Sequence, residues 1–212
     1  MRIFRLQSRL FGASCTSLSC LSGLGLLILA SYRTAFALIA AGALAWVSLC
    51  AALIGLFARP ILPERGRGLV FVALTAAAGS LYLLLLCLMN PFLAMESSLL
   101  VSLSPAYVLS LNPAERLASR EGKGEGLRFL GEPVSLGVLI IALALIREPL
   151  GLGSLSLPGG ERGITEAAGL GEYWFFPLGI ISGSAGALFL LGYGIGVFQY
   201  LRNRKAGAED PS

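Results

Sequence analysis

The chain reads as an all-α polytopic membrane protein with six transmembrane helices, and three observations lead there. Apolar residues make up 56% of its 212 positions and charged ones only 13%, a composition suited to lipid rather than water. A helical crossing takes ~20 predominantly apolar residues. Six stretches meet that length: Leu10 to Ser31, Thr34 to Ala58, Gly68 to Met89, Pro91 to Leu111, Phe129 to Ile146 and Trp174 to Tyr200. Of the 16 Lys and Arg, 13 fall in the N-terminal tail, the loops after spans two and four, and the C-terminal tail. Cationic loops stay cytoplasmic, so both termini are expected on that side of the membrane.

Span one follows Met1, Arg2, Ile3, Phe4 and Arg5. It is about twice the length of a signal-peptide apolar core and reads as an uncleaved first helix. Small residues crowd it: Gly12, Ala13, Ser14, Ser17, Ser19, Ser22, Gly23 and Gly25. Spans two and three read as ordinary helices. Span four carries Pro105 near its middle, where proline removes a backbone hydrogen bond and kinks or breaks a helix. Irregular backbone at membrane depth survives only when buried in protein or lining a polar cavity.

Spans one and four echo each other. Ser17, Leu18, Ser19 and Cys20 stand in the first, and Ser102, Leu103, Ser104 and Pro105 in the fourth. With three spans in each half, the halves have opposite orientation. This predicts two inverted three-helix repeats, about 1–90 and 91–200, in a single transmembrane domain spanning 1–212, with 201–212 a cytoplasmic tail. Helices one and four are expected to be broken and to meet near mid-membrane, where such repeats place a functional site.

Span six holds two i, i+4 glycine pairs, Gly179 with Gly183 and Gly192 with Gly196, which let another helix approach closely. The glycine-rich segment from Glu148 to Tyr173 reads as an irregular loop on the outer side. Tyr173, Trp174, Phe175 and Phe176 then form an interfacial aromatic anchor. Arg116, Glu121, Lys123 and Glu125 read as a solvated loop of mixed charge.

Composition excludes much chemistry. The chain has no histidine, which removes His-ligated haem, His-bound zinc and the commonest proton shuttle. The net charge of +4 follows from cations gathered at one membrane face and needs no nucleic acid to explain it. No Asp, Glu, Lys or Arg sits at the centre of a span, so no intramembrane carboxylate relay is visible. There is no glycine-rich phosphate loop, no CxxC pair, and no nucleophilic Ser or Cys beside a base. Cys15, Cys50 and Cys87 lie in apolar runs and read as small packing residues.

Two segments carry a resemblance. Ala114, Glu115, Ala118, Ser119 and Arg120 follow span four, and Arg147, Glu148, Leu150, Gly151, Gly153 and Leu155 follow span five. Together they resemble the Ala-Glu-x-x-Ala-Ser-basic and Arg-Glu-x-Leu-Gly-x-Gly-x-Leu stretches of the six-span integral subunits of the Rnf and Nqr complexes. Pro177 and Gly179 at the start of span six fit the same pattern. Span count, length and spacing agree over nearly the whole chain, and both termini cytoplasmic matches the partner called E in Rnf and D in Nqr. The Ser/Thr-Gly-Ala-Thr stretch of the covalent-flavin subunits is absent.

The resemblance implies a membrane subunit, not catalytic alone, of an ion-translocating (sodium or proton) electron-transport oxidoreductase in the bacterial cytoplasmic (inner) membrane. Its implied partners are a homologous sister subunit of inverted topology and the flavin- and iron–sulfur-carrying subunits of the same translocase. Cysteines from the first and fourth helices of the two sisters would hold a shared iron–sulfur centre. In this chain Cys20 takes the first-span cysteine position, with Cys15 as the other register. The sequence departs from the family at the fourth span. Counting back from Glu115 puts Val108 at the cysteine position, and no cysteine follows Cys87. A thiolate cluster normally takes four ligands, so a structural paralogue without a metal centre is an alternative. A different class also fits the length and the uncharged spans: the six-span substrate-binding component of a small-solute, vitamin-type importer.

Overall fold

The computed structural model describes residues 17–58, 66–111, 124–160, 164–169, 181 and 183–208. These form α1 (Ser17–Ala30), α2 (Thr34–Ala58), α3 (Arg67–Met89), α4 (Pro91–Ser110), α5 (Gly124–Leu152), β1 (Ser154–Pro158), β2 (Ile164–Gly169) and α6 (Ser184–Ala208). Among the described residues, four segments are long and apolar enough to cross a membrane: Thr34–Gly55, Gly68–Met89, Pro91–Ser110 and Phe129–Leu152. They match the expected spans two to five. Leu21–Ala30 and Ser184–Val197 are shorter apolar helices within the expected spans one and six.

Helix α2 is the central element, because its small side chains let neighbours close on it. Ala37, Ala40, Ala43, Leu44, Val47 and Ala51 are all fully buried. One core joins α1, α2, α4, α5 and the start of α6 through Leu26, Leu44, Val108, Ile140 and Ala187. Helix α3 packs against α2 and α4 and hydrogen-bonds α2 through Tyr82, whose hydroxyl donates to the Ile39 carbonyl at 3.3 Å.

Between α3 and α4 the chain reverses at one residue. Asn90 adopts an extended conformation and its side chain accepts from the Leu93 amide. Pro91 follows at the first helical position, where its missing N–H costs nothing.

Two expectations are corrected here, and a third is met in part. The first concerns the broken helices. Helix α4 runs unbroken from Pro91 to Ser110 with Pro105 inside it; α1 is continuous over its described part, Ser17–Ala30, and the first part of expected span one lies outside the described residues. Pro105 is accommodated against α3: a Cβ built on Gly79 would lie 2.6 Å from the proline Cγ. Only the missing side chain of Gly79 lets the ring seat there.

The second concerns the Glu148–Tyr173 loop. Helix α5 continues to Leu152, and β1 and β2 then pair antiparallel as a hairpin, with a bulge between Leu155 and Ser156. Gly153 makes the exit from the helix with φ +65°, a conformation disfavoured for side chains with a Cβ. Glu125 likewise belongs to the first turn of α5 rather than to the preceding loop.

The third is that helices one and four meet. Helices α1 and α4 do pack together, but through Ser19, Ser22 and Gly23 against Tyr107 and Ser110. Ser102 and Ser104 turn back to their own helix, donating to the Leu99 and Leu100 carbonyls.

Gly192 and Gly196 face open space, with nothing within 4 Å of an added Cβ. Gly183 is used through its backbone, as described below. The Ala114–Arg120 stretch, Cys15, Arg116, Glu121, Lys123, Tyr173–Phe176, Pro177 and Gly179 lie outside the described residues.

Candidate functional site

The apolar run of α5 ends at Ile146, and Arg147, Glu148 and Pro149 follow. The helix carries on through them. Successive residues on an α-helix point about 100° apart, so the two charged side chains leave α5 in different directions. Both are buried: Arg147 is 2% exposed and Glu148 1%.

Arg147 serves the end of α1 and the approach to α6. Its Nη1 donates to the Ile28 carbonyl at 3.2 Å and to Ser31 Oγ at 2.7 Å. Nε donates to the Ile181 carbonyl at 2.9 Å, and Nη2 to the Gly183 carbonyl at 2.8 Å. The last carbonyls of a helix lack intrahelical partners and carry partial negative charge, so a guanidinium suits the C-terminal turn that holds Ile28. The Tyr32 ring centroid lies 6.0 Å from the Arg147 guanidinium carbon and 5.9 Å from that of Arg33.

Glu148 serves the start of α2. The Thr34 amide and hydroxyl both donate to Oε2 at 2.7 Å, and the Ser156 amide donates to Oε1 at 2.9 Å. Thr34 Oγ1 also sits against the Ser156 carbonyl. Thr34 is the first residue of α2, so its amide is one of the donors the helix leaves unsatisfied. A carboxylate there complements the positive end of the helix dipole.

Two adjacent residues thus clasp both sides of the turn at Ser31, Tyr32 and Arg33. They also bind β1 and the segment leading into α6. Asn90 Nδ2 adds a link, donating to the Gly160 carbonyl at 3.1 Å. The α1–α2 turn, the α3–α4 turn and the hairpin therefore meet at one end of the bundle. These are the connections poorest in Lys and Arg.

The sequence predicted a different site. Cys20 lies in the first turn of the described part of α1, and its side chain is outside the described set. Cys50 on α2 is half-buried and Cys87 on α3 is exposed, both as free thiols. Val108 is fully buried in the core shared with Leu26, Leu27 and Leu111. Among the described residues, no three Cys, Asp or Glu side chains converge as a metal site.

Sequence reasoning placed Arg147 and Glu148 in a motif but gave them no task. A usable signal was present: an unlike-charge pair directly after an apolar run, where a buried pair needs built partners. Ser154-Leu155-Ser156-Leu157 likewise shows the alternation of a strand, followed by a Pro-Gly-Gly turn. No family model matches the chain, and no curated protein matches it.

Proposed function

We propose that this chain is an integral membrane subunit of an ion-translocating electron-transport complex of the Rnf/Nqr type. The observation that carries the reading is the position of Arg147, Glu148 and Gly153 in the fold. These residues of the Arg-Glu-x-Leu-Gly-x-Gly stretch are the ones that clasp the α1–α2 turn and release the chain from α5. A motif retained for architecture is expected to sit where several elements depend on it.

In this reading six spans form two inverted halves, and the end carrying the hairpin faces outward because its loops are poor in cations. The sister subunit of inverted topology packs alongside, and the flavin- and iron–sulfur-carrying subunits complete the translocase. Cys20 is this chain's candidate ligand to a shared centre, and the remaining ligands come from the sister. A narrower version, favoured by the burial of Val108, makes the chain a structural partner only.

The test uses inverted membrane vesicles from cells with and without this chain. Its loss should abolish ion uptake driven by ferredoxin or NADH oxidation and leave the partner subunits unassembled. Unchanged driven uptake in its absence would refute the assignment.

A further inference from the structure

We propose that the exposed face of α4 around Glu96 is where a membrane helix of another chain packs, and that this helix presents a lysine or arginine to Glu96. The face runs along Phe92, Met95, Glu96, Leu99 and Ser102, all exposed. Phe92 is 63% exposed, Met95 77% and Leu99 58%. On a membrane-spanning helix such apolar side chains need no partner, since lipid is as apolar as they are.

Glu96 is different. It stands five residues into α4, about 7.5 Å along the axis from Pro91 at 1.5 Å per residue. No hydrogen bond or ion pair reaches its carboxylate among the described residues, whereas Glu148 takes three donors. Ionisable groups in membrane segments are costly and usually face protein or a polar cavity. Glutamate also has a shorter stem than the Lys and Arg side chains that reach from apolar depth to the interface.

The surrounding chemistry narrows the occupant. The two neighbouring serines are already satisfied, Ser98 by the Met95 carbonyl and Ser102 by that of Leu99. What the face lacks is one cation for one carboxylate. Among the described residues at this end of the bundle, Arg33 stacks on Tyr32 and Arg147 is committed to α1 and the approach to α6. A second copy docked through this face brings another Glu96 and none of the described cations, so it leaves the carboxylate unpaired. A partner helix with a basic residue satisfies the carboxylate, while Phe92, Met95 and Leu99 supply packing around it. By contrast, α3 exposes Leu69, Val72, Leu81, Leu84 and Leu88, a face that lipid covers without loss. The proposal rests on the membrane placement of α4 and not on electron transfer.

The experiment places photoreactive benzoylphenylalanine at Met95 and, as a control, at Leu84 in the full-length chain, irradiates native membranes and sequences the adducts. The Met95 probe should capture a membrane-spanning peptide of another protein that contains Lys or Arg, and the Leu84 probe mainly lipid. Glu96→Gln should weaken the capture. Glu96→Lys should abolish it, with recovery when the partner's basic residue is changed to Glu. Lipid adducts alone at Met95, adducts to a second copy, or capture unaffected by Glu96→Lys would each overturn the proposal. Unchanged melting temperatures of the purified variants confirm that folding is not the cause.

Discussion

Thr34 and Glu148 are 114 residues apart in sequence, yet the Thr34 amide and hydroxyl both bond to Glu148 Oε2 at 2.7 Å. The N-terminus of α2 is therefore closed by a residue from the far end of α5. Glu148 also takes the Ser156 amide at 2.9 Å, so the same carboxylate fixes the hairpin. Removing half of this arrangement leaves buried donors without acceptors. Glu148→Ala and Thr34→Val are each expected to lower stability by about 1–3 kcal/mol. In a double-mutant cycle followed by thermal unfolding in detergent, the two losses should be clearly less than additive. Additive losses would show that the pair does not act as a unit.

Arg147 gives a larger expected effect. Its guanidinium satisfies the carbonyls of Ile28, Ile181 and Gly183 as well as Ser31 Oγ. Arg147→Leu leaves those four acceptors without their donor, at a cost of about 1–3 kcal/mol for each buried group left unsatisfied. Arg147→Lys keeps the charge but not the planar fork, and should fall between the two. The melting temperatures of the three proteins in one detergent check this order. An Arg147→Lys protein as stable as the parent would show that charge alone suffices.

Gly79 tests the α3–α4 contact. Its absent Cβ would sit 2.6 Å from Pro105 Cγ, and overpacking of this kind typically costs about 1–3 kcal/mol. Gly79→Val should destabilise, and a second change, Pro105→Ala, should recover part of the loss. No recovery would mean that the proline ring is not what the added side chain meets.

The bundle helices were legible because long apolar runs bounded by glycine, proline and cations admit little else. Spans two to five agree with the helices to within a few residues, apart from α5, which runs further at both ends. The strands were hidden by composition: glycine makes a segment read as loop even where Ser154 to Leu157 alternates. Pro105 misled for a physical reason. A proline in a helix needs only room for its ring and tolerance of one unpaired carbonyl, and Gly79 supplies the room. Arg147 and Glu148 were visible as residues but not as a site, because their partners at Ile28, Thr34, Ser156 and Ile181 come from four other parts of the chain. That convergence belongs to tertiary structure and leaves no local pattern.

Membrane orientation has its own check. With the cation-poor connections outside, a cysteine introduced at Gly160 should react with a membrane-impermeant thiol reagent added to intact cells. One introduced at Ser212 should react only after the membrane is opened. Labelling of both positions in intact cells would overturn the expected six-span orientation.

The central claim is membership in an electron-transport complex, and metal analysis of that complex, purified natively through a tag on this chain, tests it most directly. The prediction is that flavin- and iron–sulfur-carrying subunits co-purify in fixed ratio and that iron is present. In the Cys20→Ser variant the iron should fall while the subunits still assemble. A chain that purifies with neither those subunits nor iron, under conditions that preserve membrane complexes, would contradict the account.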